Sequence, residues 1–114
     1  MTLVYKICRV SDWQEAMAQG AYRGSSDDHR DGFIHLSAGH QLKETARRHF
    51  AGQSDLILVA FEAAALQPVL KWEPSRGGDL FPHAYGTIPT GSARWTRPLP
   101  LRDGIHHFTS DVIP

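Results

Sequence analysis

The stretch DLILVAFEA, Asp55 to Ala63, constrains this chain more than any other. It is an apolar run bounded by turn residues, the pattern of a strand that lies centrally in a sheet. LVYKICR near the start is rich in β-branched and aromatic residues and predicts another strand. PVLKWEPS, LFPHAYGTIP and ARWTRPLPL add extended segments in the second half, each punctuated by proline. The tail DGIHHFTSDVIP is expected to add a short strand or to lie loosely on the surface.

Two helices are expected between the first strands. Ser11 with Gln14 reads as a capping box, with Trp13 and Met17 on the buried face and Gly20 as the stop. After FIHLS, Ser37 is placed to cap a helix reaching about Ala51, with Leu42, Ala46, His49 and Phe50 at helical spacing. Between them GAYRGSSDDHRDG has no apolar period and reads as a long surface loop, the kind that often serves a site. The resulting order, β-α-β-α-β-β-β-β, lacks regular β-α alternation, so the fold class is α+β with small split or mixed sheets and two main helices. With 114 residues, the chain 1–114 is expected to form a single domain.

Composition narrows the function classes. Apolar residues at 41% and charged residues at 21% fit a soluble globular domain. Twelve basic residues balance twelve acidic ones, which gives no general attraction to nucleic acid or to acidic membranes. The one cysteine, Cys8, excludes an internal disulfide and a cysteine zinc cluster and reads as core. With no signal-peptide or spanning pattern, a cytoplasmic location is expected. The seven histidines show no ordinary ligand spacing, so no metal is expected. Familiar enzyme templates, from dinucleotide and phosphate loops to the nucleophile elbow and the zinc helix, are missing.

Two segments are site-like. Alternation in GFIHLS sends Ile34 and Leu36 to the core and turns His35 to the other face, beside the start of the next helix. The plain alternative is that His35 only bonds a backbone carbonyl or packs beneath the loop. In KWEPSRGGDLFPHAYG, Glu73 ends a strand facing away from Trp72, and Phe81, His83 and Tyr85 share a face. Arg76 stands in a turn whose glycines permit close approach to a ligand. The alternative here is a hairpin whose arginine pairs with Glu73 or Asp79 and whose aromatics are core. Trp13, Ile34, Leu36, Leu42, Ile57, Val59, Leu70 and Trp72 are the expected core.

DGFIHLS, RHFAGQSDLILVAFE, LKWEPSRGGDLFPHAYGTIP and RWTRPLPL together resemble the DUF952 family of bacterial proteins, a likeness running from Tyr5 to about Leu101. The resemblance implies a compact relative of the ADP-ribosyltransferase fold, in which small split sheets grip NAD in a cleft. It implies His35 at the ribose, with Glu73 and His83 as further catalytic candidates. Phe81 or Tyr85 would pack on nicotinamide, Arg76 would meet pyrophosphate, and Arg30 and Ser37 would complete the binding set. In the branch of that fold that removes a 2′-phosphate from RNA, arginine and histidine replace the acid, and Arg30, Arg76 and His83 resemble that chemistry. Two function classes therefore stand open. One is an NAD-binding ADP-ribosyltransferase-like domain that transfers ADP-ribose or processes a related small nucleotide or phosphate; the other is a non-catalytic module binding a small ligand or a protein.

Overall fold

In the computed structural model, which describes residues 1–113 apart from the side chain of Arg76, the apolar run forms β5 (Leu56–Glu62) at the centre of a four-stranded antiparallel sheet. Its neighbours are β1 (Leu3–Arg9) and β9 (Ala93–Leu99), and β4 (Ser37–Ala38) closes the far side of β1. Alternation along β5 splits its side chains between two cores. Val59 and Phe61, with Ile57 partly buried, face a core shared with Trp13, Tyr22, Ile34, Leu36 and Leu70. Leu56, Leu58 and Ala60 face a second core with Tyr5, Ile7, Leu42 and Ala46. A strand buried on both faces has to be apolar throughout, which is why this segment stands out in the sequence.

The first core is covered by α1 (Val10–Gln19) and by a three-stranded antiparallel sheet in the order β3 (Ile34–His35), β7 (Leu80–Ala84), β6 (Leu70–Pro74). A small pair, β2 (Ala21–Tyr22) with β8 (Ile88–Pro89), ties the end of α1 to the second half of the chain. The second core lies under α3 (Leu42–His49) and the tail, whose β10 (Leu101–Arg102) and β11 (Ile105–His106) form a hairpin and whose Val112 is buried. The result is an α+β domain of several small antiparallel sheets and few helices. No helix among the described residues is long and apolar enough to cross a membrane.

Several local expectations are corrected. The start of α1 owes nothing to a Ser11–Gln14 box. Arg9 still pairs with Leu56 and the Val10 amide donates to the Asp55 carbonyl, so strand pairing fixes where the helix begins. Met17 is exposed, since Trp13 and Ala16 make up the buried face. Ser37 belongs to β4, not to a helix cap. A 3-10 turn over Gly39–Gln41 precedes α3, and the Gln41 side chain accepts the Ala38 amide. Trp72 is 39% exposed because β6 is an edge strand that leaves the core after Leu70.

The largest correction concerns the expected loop. Ser26–Asp31 forms a short helix, α2, opened by a capping box in which the Asp28 amide donates to Ser25 Oγ and the Ser25 amide donates to Asp28 Oδ2. It has no apolar stripe because what it buries is a carboxylate, Asp28 at 2% exposure.

Candidate functional site

A buried carboxylate stands at the centre of the site. Asp28 accepts both charged and neutral donors: Lys6 Nζ at 3.1 and 2.9 Å, the Ser25 amide at 2.8 Å, the His35 amide at 3.0 Å and His35 Nδ1 at 2.6 Å. Burial by itself pushes the Asp28 carboxyl up, but the His35 hydrogen bond and the Lys6 charge outweigh it and hold the group well below the usual carboxylate range. Lys6 is buried in β1 on the face shared by Val4 and Cys8, and it also donates to the His35 carbonyl at 2.9 Å. The distant β1 and the neighbouring α2 thus fix the β3 imidazole from both its backbone and its ring.

The second histidine sits directly opposite. His35 and His83 are register partners across β3 and β7, with ring centroids 5.8 Å apart. Glu73 on β6 faces His83 Nδ1 at 2.8 Å and accepts the Tyr85 hydroxyl at 2.7 Å. Those two bonds, the Tyr85 hydroxyl first, hold the Glu73 carboxyl below its ordinary range. Phe33 fills the corner, stacked on His83 at 4.0 Å and tilted against His35 at 4.6 Å. Neither ring can turn without displacing it.

Both histidines open on one cleft of about 410 Å3, a size suited to a small-molecule ligand. Its α2 side carries Asp27, Asp28, Arg30 and Asp31, its α3 side Thr45, Arg48 and His49, and its floor Lys6, Ser37 and Phe81. Asp31 Oδ2 lies 2.9 Å from His35 Nε2, while Arg30 Nε donates to Asp31 Oδ1 at 3.0 Å. The Arg30 hydrogen bond is the main reason the Asp31 carboxyl is held low. Ser37 and Thr45 share a hydrogen bond at 3.2 Å.

Of the residues expected from sequence, His35, His83, Arg30, Ser37 and Phe81 meet in this cleft. Glu73 and Tyr85 stand outside its lining and reach it through His83. The Tyr85 ring lies beside Phe33 and under the Lys71 ammonium. The Arg76 side chain lies outside the described residues. The alternative for the arginine-bearing turn supposed that Glu73 or Asp79 was its partner; among the described contacts Glu73 meets His83 and Tyr85, and Asp79 meets Gln41 and His40. Cys8 is core as expected, and burial pushes its thiol up to about 12, which leaves it inert as a nucleophile.

Sequence reasoning passed over Lys6, Asp28, Asp31, Phe33 and Arg48. Two signals for them were legible. Ser25 and Asp28 have capping-box spacing, and Lys6 interrupts an otherwise apolar strand, where a lysine needs a buried partner.

Known structures share this architecture. The crystal structure of protein CC0527 from Caulobacter crescentus is 46% identical, with a TM-score of 0.93 over 97% of this chain and 98% of that one. The solution NMR structure of the same protein is 49% identical, with a TM-score of 0.82 over 92% and 91%. Among curated proteins nothing matches. The family model described as a protein of unknown function, DUF952, matches residues 7–96, and the chain belongs to that family.

Proposed function

We propose that the cleft between α2 and α3 binds a nucleotide of the ADP-ribose class, NAD among them, in the manner of an ADP-ribosyltransferase-like domain. The observation that carries this reading is the convergence of His35 and His83, each held by its own carboxylate, on one cleft with separated acidic and basic walls. Asp27 and Asp31 on the α2 side suit ribose hydroxyls, which donate to carboxylates. Arg48 on the α3 side suits phosphate, to which a guanidinium presents paired donors. His35 lies between them and contacts the ribose. Phe81 in the floor offers an apolar face to a base or to nicotinamide. Glu73 acts through His83, so its role is to orient that ring.

Calorimetric titration with NAD and with ADP-ribose tests the proposal. His35→Ala and Arg48→Ala should each weaken binding without unfolding the protein. Loss of a charged phosphate contact costs about 1.5–3 kcal/mol, roughly tenfold to hundredfold in affinity. The Arg48 effect should shrink as salt rises, because that side chain is half exposed. A protein that binds neither ligand at millimolar concentration is a module for something else, and the non-catalytic reading then replaces this one.

A further inference from the structure

We infer that His35 and His83 are an acid–base pair that hydrolyses a ribose phosphodiester, with His83 as the base and His35 as the acid; this rests on nucleotide occupancy of the cleft as proposed above. The division of labour follows from the hydrogen bonds. A carboxylate only accepts, so Nδ1 of each ring, facing Asp28 or Glu73, carries a proton. His35 Nε2 lies 2.9 Å from a second carboxylate, Asp31, an ion-pair distance that the ring meets in its doubly protonated form. His83 Nε2 faces no carboxylate among the described contacts and keeps its lone pair. The groups around the pair are Asp28 and Asp31 from α2, Lys6 from β1, Glu73 and Lys71 from β6, and Tyr85 just beyond β7.

The same contacts disfavour chemistry at the ribose carbon. Every carboxylate of the site is engaged: Asp28 by Lys6 and His35, Glu73 by His83 and Tyr85, Asp31 and Asp27 by Arg30. What the cleft delivers instead is a proton acceptor and a proton donor 5.8 Å apart, ring centre to ring centre, with Arg48 on the opposite wall. That arrangement serves displacement at phosphorus, where one oxygen must lose a proton and another must gain one. Asp31 marks where an anionic oxygen sits against His35, and Arg30 already holds that carboxylate when a ligand takes its place.

In the step, His83 Nε2 takes a proton from water as its oxygen forms a bond to phosphorus. The bond from phosphorus to a ribose oxygen breaks, and that oxygen takes the proton from His35 Nε2. A nucleoside 2′,3′-cyclic phosphate plus water gives a nucleoside monophosphate, and proton exchange with solvent restores both rings.

The probe is 2′,3′-cyclic AMP, incubated with the full chain in EDTA to silence contaminating metallonucleases and followed by chromatography of adenosine monophosphate. Wild type should turn over. His35→Gln and His83→Gln, both checked for folding by circular dichroism, should each lose at least about 100-fold in kcat. The wild-type profile of kcat/KM should be bell-shaped, as a reaction that needs one base and one acid requires. Residual activity should lose its acid limb in His83→Gln and its alkaline limb in His35→Gln, changes that a purely structural role would not produce. If ADP-ribose binds and the cyclic nucleotide is untouched, or if both variants turn over like wild type, the acid–base assignment is wrong while the binding proposal stands. If ADP-ribose does not bind, the cleft proposal itself has failed.

Discussion

Asp28 and Lys6 form the most consequential contact of single residues. Both are buried, with side-chain exposures of 2% and 7%, and each is the other's charge partner. Removing one side leaves an uncompensated buried charge, so Asp28→Asn and Lys6→Met should each cost about 3–5 kcal/mol in urea unfolding. The double variant should recover part of that loss, because neither charge is then stranded. Asp28 also predicts the acid limb of stability. Its folded carboxyl is held below the ordinary unfolded value, so its contribution is full above that value and lost as pH falls through the lower folded one. Wild-type unfolding midpoints should therefore drop between about pH 5 and about pH 1, and the Asp28→Asn midpoint should drop less steeply.

At the scale of elements, α2 depends on the residue before its cap. Gly24 has φ of +106°, and a Cβ there would come within 2.9 Å of the Asp28 Cβ. Gly24→Ala should disturb the capping box and the His35 anchor together, lowering the thermal midpoint and weakening nucleotide binding in the same variant. The two tryptophans offer a contrast. Trp13 is 5% exposed against Tyr22 and Phe61, so Trp13→Ala should cost about 3–5 kcal/mol, while Trp72→Ala on the edge strand should cost far less. These cases show what the sequence made legible. The unbroken apolar run identified β5, because a strand buried on both faces has no polar side to show, and alternation placed Ile34, Leu36 and His35 on the correct faces. The same logic failed for Trp72, since alternation names a face but not how far the core extends beneath it. It failed for α2 because a helix that buries an ion pair has no apolar period to read. Lys6 reaches His35 from β1 through strand register, and Asp28 and Glu73 reach their rings through a helix cap and a hairpin, arrangements that no periodic pattern reports.

For the whole molecule, the position of the cleft links the site to global stability. Its lining draws on β1, α2, β3, β4, α3 and β7, so it touches the central sheet, the three-stranded sheet and two helices at once. A ligand that fits such a place contacts segments separated by most of the chain, and those contacts exist only while the fold is intact. It therefore stabilises by mass action in proportion to RT ln(1 + [L]/Kd), about 2.7 kcal/mol at a hundredfold excess over Kd. For a domain of this length, ADP-ribose at that excess should raise the thermal midpoint by roughly 8–16 °C, given about 3–6 °C per kcal/mol. EDTA alone should leave the midpoint where it was, since no cluster of three or more His, Cys, Asp or Glu side chains among the described residues is placed to hold a metal. Arg48→Ala, whose side chain supports no core packing, should keep the unliganded midpoint and lose about half or more of the ligand-induced rise. An equal rise in wild type and Arg48→Ala at the same ADP-ribose concentration would place the nucleotide elsewhere on the molecule.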